Sequence, residues 1–164
     1  MGIARGVKRY KNYMGRDFKR TRVAENLLPA KRSALMSKIR SKNTKFEDDF
    51  ISLLNDKLPN KFVTHLRALK GTPDIVFANE KVCVFLDSDF WHGWQYPRWK
   101  HLLKDDFWRE KITNNRRRDI RNSRFLKRTG WNVIWIWEHQ IKRSPEKAIQ
   151  RILTSLGSSG GSAQ

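Results

Sequence analysis

Two short apolar runs, Ile75-Val-Phe77 and Val82 to Leu86, limit what this chain can fold into more than any other feature. Each is too short for an ordinary helix and rich in β-branched residues, so both read as strands. Ala78-Asn79-Glu80 makes a tight turn between them, and the pair is a hairpin. Val82 to Leu86 is apolar without alternation, the mark of a central strand covered on both faces. Gly71-Thr-Pro73 makes the preceding turn and sets the extended backbone in which Asp74 opens its strand. Ionisable groups crowd the ends: Asp74, Asp87, Asp89 and His92. A buried hairpin has no use for them, whereas a metal site does. With the turn near residues 78–80, cross-strand partners sum to about 158, so Asp74 faces about Val84 and the acids meet at one end of the sheet.

Two carboxylates, a backbone carbonyl and waters suit Mg2+ in near-octahedral geometry. Such an ion activates a bound water and offsets charge on a phosphorane-like transition state. His92 is suited to act as general base or to donate to a leaving oxygen. Zinc is the weaker alternative. The single cysteine, Cys83, lies inside a strand, and His65, His101 and His139 lack ligand spacing. No pattern for a nucleophilic Ser or Cys is present.

The rest of the chain builds around the hairpin. Ser33 caps a short helix with Leu35, Met36 and Ile39. Thr44-x-x-Glu47 is a capping box, followed by a helix with Phe46, Phe50, Leu53 and Leu54 on one face. Glu47 thus has two available jobs, closing the cap or facing the metal. Lys61 to Leu66 reads as an edge strand. Asp89 to Lys104 has no period and interleaves Phe90, Trp91, Trp94, Tyr96 and Trp99 with Arg98, Lys100 and His101. That mixture suits stacking on bases, with some of the rings packing on the sheet. A long helix from Asp105 to Arg128 puts Trp108, Ile112, Asn115, Asp119 and Leu126 on one stripe. Its other faces carry Arg116, Arg117 and further arginines, a phosphate-binding surface. Asp119 either pairs with a neighbouring arginine or joins the acids. Gly130 stops the helix, Trp131 to Trp137 is a strand, and Ser144-Pro145 opens a last helix. The layer order is a mixed α/β domain, with the last strand parallel to a central one. Residues 1–32 form a basic arm, residues 33–156 the folded domain and residues 157–164 a flexible Gly/Ser tail.

The 35 Lys and Arg against 16 Asp and Glu give a net charge of +19. Self-repulsion on this scale calls for an anionic partner, and nucleic acid fits better than a membrane surface. With no long apolar run and no signal pattern, the expectation is an intracellular protein in the cytoplasm, associated with the nucleoid.

Five blocks in register resemble the very-short-patch-repair (Vsr-type) DNA endonucleases. They are Met36-x-x-Ile39 with Thr44-x-x-Glu47, Gly71-x-Pro73-Asp74-Ile-Val, and Val84-Phe85 with Phe90-Trp91-His92-Gly93. Phe107-Trp108-x-x-Lys111-Ile112-x-x-Asn115-x-x-Arg118-Asp119 and Gly130-Trp131-x-Val133 with Trp137-Glu138 complete the set. The resemblance implies a PD-(D/E)xK (restriction-endonuclease-like) core, a mixed sheet flanked by helices, acting on double-stranded DNA with Mg2+. It makes Asp74 the catalytic aspartate, with Glu47, His92 and Asp119 as partners, and Phe90, Trp91 and Trp108 as aromatics that push into the DNA stack. Where the repair enzymes hold a structural zinc, this chain has Asp89, Trp94, Tyr96 and His139, so no zinc is expected. Where they carry a Thr-His pair it has Leu86-Asp87, leaving a metal-binding carbonyl at Leu86 and a candidate new ligand at Asp87. These departures, with the basic arm, are similar to the Vsr-like homing endonucleases of the EDxHD group. Site-specific, homing-type cleavage is therefore the first expectation, T·G mismatch nicking the second, and a non-catalytic DNA-binding module the third.

Overall fold

The computed structural model describes residues 44–159. The basic arm and the expected helix over Ser33 to Ile39 lie outside them. Within this range the chain divides into two compact units, one of residues 44–87 with 117–159 and one of residues 88–116.

The first unit is built on a four-stranded mixed sheet in the order β1-β2-β3-β4, where β1 is Val63–Thr64, β2 Ile75–Phe77, β3 Val82–Asp87 and β4 Asn132–Trp137. Helix α1, Lys45–Lys57, precedes it. β1 is an exposed edge strand and far shorter than the run from Lys61 to Leu66. The strand stops because His65 turns into left-handed backbone with φ of 50°. β2 and β3 are antiparallel with Ile75 opposite Val84 and Phe77 opposite Val82. Lys81 also turns left-handed, with φ of 51°, and its N–H closes on the Ala78 carbonyl. That extra turn residue moves the register by one, so Asp74 lies across from Phe85 rather than Val84. β3 and β4 are parallel, from Val82 opposite Asn132 to Asp87 opposite Trp137.

Alternation along the strands creates two cores. Ile75, Phe77, Val82, Val84 and Leu86 face one side. There they meet Phe50 and Leu54 of α1, Ile141 of α4 (Glu138–Arg143) and Ile149 and Ile152 of α5 (Pro145–Ser159). Val76, Cys83 and Phe85 face the other side, under Leu126 of α3 (Asp106–Arg128), with Phe85 stacked on Trp135 at 4.5 Å. β3 is buried along its whole length, as a continuous apolar run requires. α5 carries its helix through Gly157 to Ser159, beyond the expected start of the tail, because Leu153 and Leu156 still pack on the core there.

The second unit holds the irregular aromatic stretch and the first half of α3. A short helix α2, Tyr96–Trp99, and a single 3-10 turn, Lys100–Leu102, interrupt it. Both are too brief to leave a period in the sequence. Asp105 caps α3, accepting the Phe107 N–H at 2.9 Å. Trp99, Trp108, Phe90, Leu103 and Ile112 form the unit's core. Polar clips finish it: Trp99 Nε1 donates to the Trp94 carbonyl at 2.7 Å, and the Tyr96 hydroxyl to the Arg109 carbonyl at 3.0 Å. Gly93, with φ of 69°, passes so close to α3 that a Cβ there would lie 2.9 Å from Ile112 Cγ2.

Candidate active site

Three aspartates of the sheet unit share one side of it. On β3, residues 83 and 85 face α3, so period two sends Asp87 to the same side. On β2, Val76 faces α3, so Asp74 does too. On α3, Asp119 precedes Leu126 by two turns and lies on the same stripe. Carboxylate oxygens of Asp87 and Asp119 consequently come within 4.8 Å of each other. Asp87 is 4% exposed, and the Asp119 side chain 16%. Asp119 also takes the neighbouring Arg118, Nη2 to Oδ1 at 3.4 Å, so it both pairs with an arginine and lies near Asp87.

Asp74 is held on both sides. Its Oδ2 accepts the Leu86 N–H at 2.7 Å, which ties the β2 entrance to the end of β3. Its Oδ1 faces His65 Nδ1 at 3.6 Å. The preceding turn is fixed by Gly71, which has φ of 86° and sits against Asn122 of α3, where a Cβ would lie 2.8 Å from Nδ2. His65 does not stand out in the sequence, where ligand spacing is the test a histidine has to pass. The signal that could have found it is the strand pairing: Thr64 opposite Ile75 puts residue 65 beside residue 74.

Glu47 is 5% exposed and its Oε2 accepts the Thr44 N–H at 3.0 Å, so its cap role is present. A carboxylate so buried at the first turn of a helix is more shielded than an ordinary cap requires.

In the second unit, His92 is half-buried and its N–H donates to the Ser88 carbonyl at 3.2 Å. Phe90 and Trp108 are 1% and 0% exposed and belong to the aromatic core. Trp91 and Trp94 are half-buried. Trp91 is pinned by Asn115, whose Nδ2 donates to its carbonyl at 3.0 Å, and Lys111 Nζ lies 5.4 Å from its ring centroid. Burial pushes the Lys111 ammonium below the usual lysine range. Arg116 donates to the Gly93 carbonyl and lies over the Tyr96 ring at 5.7 Å. Arg98, Lys100 and Arg117 are exposed. Asp89 is 2% exposed.

The donor set fits a hard divalent cation. Two carboxylate oxygens within 4.8 Å can share one ion that takes its ligands at about 2.1 Å, after a small rotation. Oxygen ligands of this kind favour Mg2+ over zinc.

The chain is also similar to known proteins. Residues 24–98 match the family model described as DNA mismatch endonuclease Vsr. The chain is 38% identical to the type II nicking enzyme V.XorIIP of Xanthomonas oryzae over 121 residues, 73% of this chain and 88% of that protein. It is 39% identical over 133 residues to the type II nicking enzyme V.NmeAIP of Neisseria meningitidis, covering 74% and 85% of the two chains. It is 31% identical over 140 residues to the DNA mismatch endonuclease Vsr of Escherichia coli, covering 82% and 89%.

Proposed function

The chain belongs to the Vsr family of DNA endonucleases, and from that premise we propose that it nicks duplex DNA at a specific site in a Mg2+-dependent reaction on a PD-(D/E)xK core. The observation that carries this reading is the approach of Asp87 and Asp119 on the side of the sheet that Asp74 also faces. In the proposal, Asp74, Asp87 and the Leu86 carbonyl hold the ion, with Asp119 beside Asp87 able to complete its ligand set. Bound there, Mg2+ would acidify a water and offset charge on the phosphate under attack.

The chain's own groups then divide the work. His92, tethered five residues beyond Asp87, takes the proton of the attacking water or supplies one to the leaving oxygen as the phosphorus–oxygen bond breaks. Asp119 and Glu47 orient that histidine or the water. Trp91 deforms the duplex, backed by Phe90 and Trp108, while Trp94 stacks beside it. Arg98, Lys100, Arg116 and Arg117 bind phosphates.

The names of the relatives support nicking over double-strand cleavage. Homing-type cleavage is the second reading, favoured by the basic arm, which puts ten of the 35 basic residues and only two of the 16 acids into residues 1–32. The test incubates plasmid, a T·G-mismatched duplex and its matched control with Mg2+ and either wild type or Asp74→Ala. Wild type should convert supercoiled plasmid to open circles, and Asp74→Ala should not. Linear product favours homing, and cleavage of the mismatched duplex alone favours mismatch repair. Tight, salt-sensitive binding without cleavage leaves a DNA-binding module, and an active Asp74→Ala removes Asp74 from the site.

A further inference from the structure

His65 stands against Asp74 from the neighbouring strand. β1 ends at Thr64, whose partner across the antiparallel pair is Ile75. The next residue of β1 therefore meets the residue before Ile75. The backbone seals this meeting, with the His65 N–H donating to the Asp74 carbonyl at 3.1 Å. His65 adopts φ of 50°, the left-handed region that is uncommon for residues other than Gly. Its ring lies beside the Asp74 carboxylate. Nδ1 lies 3.6 Å from Oδ1, while the other oxygen, Oδ2, accepts the Leu86 N–H at 2.7 Å. The two side chains are 28% and 15% exposed, so the contact is partly shielded from water.

A carboxylate bound at one oxygen still rotates about its last torsion; a neighbour at each oxygen fixes its plane. We propose that His65 is a positioning residue for Asp74, setting the plane of the carboxylate for the divalent cation. This rests on the reading of Asp74 as a metal ligand. At 3.6 Å the contact is longer than a closed hydrogen bond, so it governs orientation more than it holds the fold. Groups that orient metal ligands are worth roughly 10–100-fold in metal affinity.

Two substitutions isolate the ring from the backbone. Gly and Asn both accept left-handed φ, but only Asn keeps a side-chain N–H donor. Mn2+ affinity is read by electron paramagnetic resonance for wild type, His65→Gly, His65→Asn and Asp74→Ala. His65→Gly should bind Mn2+ about tenfold more weakly with its melting temperature nearly unchanged. His65→Asn should recover most of that loss. Saturating Mn2+ should bring the kcat of His65→Gly back toward wild type, with the KM for DNA unchanged. The proposal is overturned if His65→Gly binds Mn2+ as wild type does, or if His65→Asn is no better than His65→Gly. Loss of the fold in both variants also overturns it, since the role is then structural. Mn2+ binding to Asp74→Ala at wild-type strength removes the metal reading itself, whereas its loss there with His65→Gly unaffected overturns only the role of His65.

Discussion

Asp87 and Asp119 meet because two periods coincide, the two-residue period of β3 and the 3.6-residue period of α3. Each carboxylate is shielded from water, and shielded acids are usually tolerated only beside a partner. Asp119→Asn keeps the shape and removes the charge. Its cleavage rate should fall at least about 100-fold with melting unchanged, the scale of one lost charge-stabilising group. Wild-type rates in a single-turnover nicking assay would exclude Asp119 from the chemistry. Cys83 shows the opposite case, a buried group kept neutral: burial pushes its thiol up to about 12. The unfolded thiol ionises near pH 8.5, so Cys83's contribution is complete below that pH and is lost as pH rises toward 12. Urea unfolding at pH 8 and near pH 10 should therefore show wild type losing about 2 kcal/mol more than Cys83→Ala. Equal losses in the two proteins would contradict a buried, neutral thiol.

At the scale of elements, α3 carries three jobs along one length. Its first turns supply Trp108 and Ile112 to the aromatic core, a middle turn supplies Asp119, and Leu126 covers the sheet. The loop before it is held against its first half by Gly93. Gly93→Ala meets Ile112 and Arg116 at 2.9 and 3.0 Å in backbone that disfavours a Cβ. A loss of about 1–3 kcal/mol in thermal or urea unfolding is expected; a neutral result would mean the loop moves freely from α3. The outward side of α3 carries exposed Arg117, Arg121, Arg124 and Arg128 at spacings of four, three and four residues. Such a row tracks a phosphate backbone. Replacing Arg121 and Arg124 by Gln should lower the slope of log affinity against log salt by about 0.9 for each phosphate no longer neutralised. An unchanged slope would place the DNA elsewhere.

At the scale of the molecule, the net charge of +19 makes affinity a function of ionic strength. Removing residues 1–32 should weaken binding to any duplex and flatten its salt dependence, while the metal affinity of the remaining chain stays the same. A truncated protein with full affinity would deprive the arm of its role. The order of strands, the capping box, the long helix and the identity of Asp74, Glu47, His92 and Asp119 as candidates were legible in the sequence, because each rests on local period, turn chemistry or family spacing. The two-residue length of β1 and the one-residue change of register were not. Both come from left-handed backbone at His65 and Lys81, which non-glycine residues do not announce. The same is true of the inward placement of Phe90 and Trp108. An aromatic beside a cation reads alike whether it stacks on a base or fills a core, and only packing on Trp99, Leu103 and Ile112 decides. The hairpin with its acids was thus determined by the sequence alone. Which acids converge, and which histidine stands behind Asp74, was decided by the tertiary structure, since pairings across strands and between strand and helix depend on register and facing, which local sequence does not encode.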